Sequence, residues 1–120
     1  MSKGNNNNLK SKMMENDIEV LRVLYKFICE RENIKEIALK FCKVGKGGGC
    51  CSYIANKPKS ISIDLRRINC GSAYVLCHEV AHQICISSEG NATHNAKFKK
   101  VEKDLVKKYA NCVIARNLIW

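Results

Sequence analysis

The stretch His78-Glu79-Val80-Ala81-His82 decides how the rest of the chain is read. It lies within residues 69–86, where Ala73, Leu76, Val80 and Ile84 recur at helical spacing and Ser72 is placed to cap the start. On a helix, positions i and i+4 project from one face a turn apart. The two imidazoles are therefore set to share one metal ion at about 2.0–2.1 Å each. Glu79 follows the first histidine and reaches the open side of such an ion without filling it, as a general base must. A metal in that place acidifies water and polarises a carbonyl. These residue types in this pattern point to zinc-dependent hydrolysis of a peptide bond, with Glu79 as the catalytic residue.

The chain holds three histidines, and the third, His94, comes twelve positions after His82. Between them lies a polar stretch, 87–92, that contains Gly90. Beyond them a second helical pattern runs from about Thr93 to Ala110 through Phe98, Val101, Leu105 and Tyr109. A helix–loop–helix reversal returns His94 over the first pair, and three protein ligands plus a water make the open tetrahedral site of a catalytic zinc. Glu102 and Asp104 on the same helix offer carboxylates as alternative third ligands, and zinc accepts oxygen. In that case His94 is a surface or substrate-side residue. Three imidazoles suit zinc, while iron and manganese stay open.

Upstream, Ile18, Leu21, Leu24, Tyr25 and Ile28 predict a packing helix over about 17–31, started by Asn16 or Asp17. Residues 34–44 read as a strand, ended by the glycine run 45–49, a loop that lacks a phosphate-binding pattern. Residues 51–55 and 60–65 alternate as two strands of a hairpin, with Asn56-Lys57-Pro58-Lys59 as its turn. Val113, Ile114, Leu118 and Ile119 suggest a final strand over 111–120. Residues 1–14, with four consecutive asparagines, read as a disordered tail. The organisation expected is tail 1–14 and one domain, 15–120.

Composition sets the compartment and the partners. There is no apolar run long enough to span a membrane, which needs about 20 residues, and no secretory signal follows the first lysines. An intracellular protein, in cytoplasm or nucleus, is expected. In a reducing compartment the eight cysteines are mainly thiols, with Cys29, Cys77 and Cys85 as small buried apolar groups. A second zinc site from Cys42, Cys50, Cys51 and Cys70 is a lesser reading, because no Cys-x-x-Cys pair occurs. The net charge of +10 favours polyanions, nucleic acid above all.

Beyond these readings, the chain resembles the SprT-like (Spartan-related) metalloprotease domain from about Gly47 to the C-terminus. The resemblance rests on Cys50-Cys51-Ser52-Tyr53 and Ser60-Ile61-Ser62-Ile63 as the hairpin before the active-site helix, then on His78-Glu79-Val80-Ala81-His82. It continues with His94-Asn95-Ala96-Lys97-Phe98, similar to that family's third-ligand motif, and with 111–119 as its closing strand. The family has Gly where this chain has Asn95, and Asn tolerates the left-handed backbone that such a turn uses. The resemblance implies a compact zincin-like α+β domain, with the active-site helix packed on a small antiparallel sheet. It implies one catalytic Zn2+ and a protein substrate held extended along a sheet edge. It also implies DNA-dependent cleavage of DNA-bound or DNA-crosslinked proteins. DNA would be held without sequence preference by Lys97, Lys100, Lys103 and Lys107, with Arg66 and Arg67 beside the hairpin. Tyr53 and Trp120 are candidate stacking aromatics, and Tyr109 a candidate oxyanion stabiliser. Two other functions fit the residues: a zinc-stabilised nucleic-acid-binding module without activity, and a DNA-independent peptidase with one dedicated protein target.

Overall fold

A computed structural model describes residues 18–44, 48–64, 72–90 and 93–114, with the side chains of Ser72, Glu89 and 111–114 left aside. The tail 1–14, Arg66, Arg67, Cys70 and Trp120 lie outside the described residues. Helix α1 covers 18–32 and buries Leu21, Leu24, Tyr25, Ile28 and Cys29, the i, i+3, i+4, i+7, i+8 stripe of a helix with one packed face. Asn33 ends it in the left-handed region (φ 54°), and the Ile34 N–H closes back on the Cys29 carbonyl at 3.0 Å, the wide bond of a Schellman cap.

Three strands follow: β1 (Ala38–Cys42), β2 (Gly49–Ile54) and β3 (Lys57–Asp64), in spatial order β1-β3-β2. The hairpin β2–β3 is antiparallel, as expected, but β1 pairs parallel with β3, so the sheet is mixed. Two chain reversals return β3 to the direction of β1, and β3 fills the slot between β1 and β2. The register sets Leu39 opposite Ile61 and Phe41 opposite Ile63, which puts all four on the core face. The turn is shorter than the sequence suggests: Ala55 and Asn56 form it, with φ of 52° and 66°, the two positive values of a tight hairpin turn. Lys57, Pro58 and Lys59 belong to β3. Pro58 is tolerated because β1 begins to pair only at Ser60, so no neighbour there needs its missing N–H. A bulge skips Lys59, with Ser52 facing Ser60 and Tyr53 facing Pro58.

Helix α2 (Ser72–Glu89) lies on this sheet, and α3 (Ala96–Leu105) packs against α2. α2 runs past the expected loop start. The Ser87 and Ser88 hydroxyls donate back to the carbonyls of Gln83 and Cys85, which accommodates both in the last turn. Gly90 (φ 81°) then ends the helix. The expected final strand is corrected over 111–114: Val106–Ile114 continues α3 as a π-helix. Tyr109 and Ala110 are buried there, so the apolar stripe of Phe98 and Leu105 is carried onward rather than turned into a sheet. The fold is α+β, with three helices and one small sheet around a single apolar cluster drawn from α1, β3, α2, α3 and the π-helical turn.

Candidate metal centre

The apolar residues Ala73, Leu76, Cys77, Val80, Ala81, Cys85 and Ile86 are all buried on α2. Each large one contributes about 1.5–3 kcal/mol. That is enough to hold three polar side chains, Glu79, His82 and Gln83, inside the same helix surface, where each costs about 1–3 kcal/mol if left unpaired. Gln83 meets that cost by hydrogen bonds. Its Oε1 accepts from the buried Tyr25 hydroxyl at 2.8 Å, and its Nε2 donates to the Lys35 carbonyl at 2.6 Å. The same Tyr25 oxygen accepts from the Ile37 N–H at 3.1 Å. These bonds tie α1 and the entry to β1 to the turn of α2 that carries His82.

His78, His82 and His94 come together, each offering a ring nitrogen within 4.8 Å of the others. The Nε2 atoms of His82 and His94 are 3.1 Å apart. Two nitrogens on one tetrahedral zinc lie roughly 3.3 Å apart at bond lengths of about 2.0–2.1 Å, so this pair is already near ligating distance. His82 is the buried member. Burial, then the charges of His78 and His94, lower its pKa to about 4, which keeps the ring neutral with a free lone pair, the form that takes a metal. Its Nδ1 is buried and has no hydrogen-bond partner among the described residues. Phe98, itself buried, lies against all three rings with centroids 4.4–5.1 Å away. The aromatic residue four positions after His94 therefore forms an apolar wall of the cluster. The donor set, its spacing and the neutral central imidazole fit a single divalent ion.

Asn95 acts differently from the sequence expectation. Its φ is −80°, not left-handed, and it caps α3 by accepting the Phe98 N–H on Oδ1 at 2.9 Å. An Asn at this position is a helix N-cap, so no glycine-like backbone is needed beside His94. Asn95→Ala is expected to lower stability by about 1 kcal/mol, measured by urea unfolding, and to loosen the segment that carries His94.

Glu79 projects toward the sheet side of the same helix. It is 4 % exposed. Burial raises its pKa to about 7, with the His78 charge opposing and the Glu102 charge adding to the rise. A cation held by the neighbouring imidazoles draws that value back down. Room for the Glu79 carboxylate is made by Gly49 at the start of β2, since a Cβ built on Gly49 would meet Glu79 Oε2 at 2.8 Å and Val75 Cγ1 at 2.7 Å. Cys51, one pleat along β2, is pushed up to about 12, first by burial and then by the Glu79 charge. Among the described residues β2 is an edge of the sheet, and that edge begins beside the general-base candidate.

Other expected residues fall as follows. Glu102 is not one of the three clustered ligands; its Oε2 contacts His78 Nδ1. Asp104 is exposed. The Tyr109 hydroxyl is bonded to Glu32 at 2.5 Å and its ring meets Phe27 edge-on, so it is turned toward α1 rather than toward an oxyanion. Lys97, Lys100, Lys103 and Lys107 are exposed along α3 and the π-helical turn. Lys97 donates to Ser88 Oγ at 3.0 Å. Lys103 and Lys107 line a cleft of about 440 Å³ with Tyr74, Glu102 and Val106. Tyr53 is 42 % exposed on β2. Cys29, Cys77 and Cys85 are buried thiols, as expected. Cys50 and Cys51 are adjacent in β2 and point to opposite faces, and the His cluster is the one metal-competent group among the described residues, which leaves the cysteine site without support. Gly49's part is not legible from the residues alone, because a glycine at the end of a glycine run reads as loop. No helix among the described residues is long and apolar enough to cross a membrane. Comparisons of the chain with family models, with curated proteins and with solved structures return no match.

Proposed function

We propose that this chain is a zinc-dependent endopeptidase of SprT-like type that cleaves DNA-bound or DNA-crosslinked proteins. The observation that carries the reading is the three-histidine cluster with the buried Glu79 next to His78 in the chain, its carboxylate lying against Gly49 at the start of the edge strand β2. His78, His82 and His94 would hold one Zn2+, which supplies Lewis acidity to a peptide carbonyl and to water. Glu79 handles the proton: its carboxylate takes it from the attacking water and passes it to the leaving amine. A substrate segment is bound extended by main-chain hydrogen bonds to β2, a mode that reads little of the side chains. The buried Phe98 ring packs against all three histidines. The net charge of +10 and the exposed lysines of α3 support DNA as the element that brings substrates to the site.

The test is cleavage of a basic DNA-binding protein by the zinc-loaded chain, with and without single-stranded DNA. Fragments are expected only with DNA, and Glu79→Gln is expected to lower the rate by roughly two to four orders of magnitude while still binding zinc. Equal cleavage without DNA would replace the DNA-linked reading with that of a dedicated peptidase. Zinc and DNA binding without cleavage by the parent would leave a binding module.

A further inference from the structure

We propose that Glu102 is the positioning residue of the metal centre, orienting His78 through its Nδ1 so that Nε2 is the nitrogen presented to the ion. The inference rests on the metal-site reading above and adds a residue to it. Glu102 is a carboxylate on the packed face of α3. It lies four positions after Phe98 and three before Leu105, both buried against the core, and it is one-third exposed, as is His78. A charged group in that stripe needs a reason, and the contact between Glu102 Oε2 and His78 Nδ1 supplies it. The contact crosses from α3 to α2, so it also ties α2, which carries His78 and His82, to the helix that begins just after His94.

The chemistry follows from the two ring nitrogens. A neutral imidazole carries one N–H and one lone pair, and the partner of one nitrogen decides which is which. With Glu102 accepting at Nδ1, the proton is held there and the lone pair sits on Nε2. Glu102 thus acts through His78 and occupies no coordination position of its own. The carboxylate-as-third-ligand alternative makes the opposite claim about the same residue.

Three measurements on the full chain separate these. Zinc affinity, by competition with a chromophoric chelator, is expected to fall about 10–100-fold in Glu102→Ala. It is expected to fall less in Glu102→Gln, whose amide oxygen still accepts from Nδ1–H, and not at all in Asp104→Ala. In the nitrogen-15-edited NMR spectrum of the zinc-bound parent, the His78 Nδ1 proton is expected far downfield, moving upfield in Glu102→Gln. This second readout decides the matter if Glu102→Ala does not fold. The visible spectrum of the cobalt-substituted protein is expected to keep its band positions in Glu102→Gln, since the ligand set is unchanged. An unshifted Nδ1 proton with unchanged affinity in the Gln variant would overturn the proposal, and altered cobalt bands would make Glu102 a ligand instead. A parent that binds no zinc would overturn this inference together with the reading it rests on.

Discussion

Zinc at a thousand times its dissociation constant is expected to stabilise the folded chain by about 4 kcal/mol and to raise its melting midpoint by roughly 10–25 °C. His82→Ala is expected to remove that shift. The size follows from linkage: an ion that binds the folded chain and not the unfolded one adds its binding free energy to folding. The three imidazoles meet only when α3 is docked on α2, so the unfolded chain offers no equivalent site. His82 is the choice because it is the buried ligand, held neutral, with Nε2 already 3.1 Å from that of His94. Its removal changes the zinc-free protein in two opposing ways. The missing ring leaves a cavity, which destabilises, and the unpartnered buried Nδ1 goes with it, which relieves a cost. The quantity to read is therefore the zinc-induced shift in calorimetry, with chelator as reference, rather than the midpoint itself. An equal shift in parent and variant would refute a site built on these three residues.

Gly49→Ala is expected to lower kcat/KM on any peptide substrate by roughly 100-fold, the loss associated with about 1 Å of misplacement of a catalytic group, while zinc affinity stays within a few-fold. The added methyl lands 2.8 Å from Glu79 Oε2 and 2.7 Å from Val75 Cγ1, distances at which something must move. Either the carboxylate swings away from the histidines, or the start of β2 lifts off α2 and carries the open edge with it. Overpacking of this kind also costs about 1–3 kcal/mol of stability. Part of that cost belongs to Glu79. In a double-mutant cycle by urea unfolding, Gly49→Ala is expected to cost less in a Glu79→Ala background, with a coupling of about 0.5–3 kcal/mol. Unchanged turnover together with zero coupling would show that Gly49 is only a strand residue.

The histidine pair, Glu79 between them and the helix beneath were legible because they depend on a single local period: residues four apart share a helix face whatever the rest of the chain does. α1 and the hairpin were legible for the same reason, through periods of 3.6 and 2. The hairpin turn was misplaced by Pro58, the usual turn residue, because its tolerance in β3 depends on β1 starting to pair only at Ser60. The last segment was misread because Val113 and Ile114 carry strand preference, while the buried stripe through Leu105 and Tyr109 continues the helix as a wider coil. Tertiary context overrides such preferences readily.

The division falls between short-range and long-range physics. By itself the sequence determined an α+β chain with two metal-ready imidazoles and a carboxylate on one helix, since backbone geometry alone fixes their spacing. Only the tertiary structure decided that His94 is the histidine returned to them, that Glu102 meets His78 at Nδ1, and that a glycine in β2 clears the space for Glu79. Each of those contacts joins two separate elements, and their meeting is set by how apolar faces dock and strands register, which spacing along a chain does not encode.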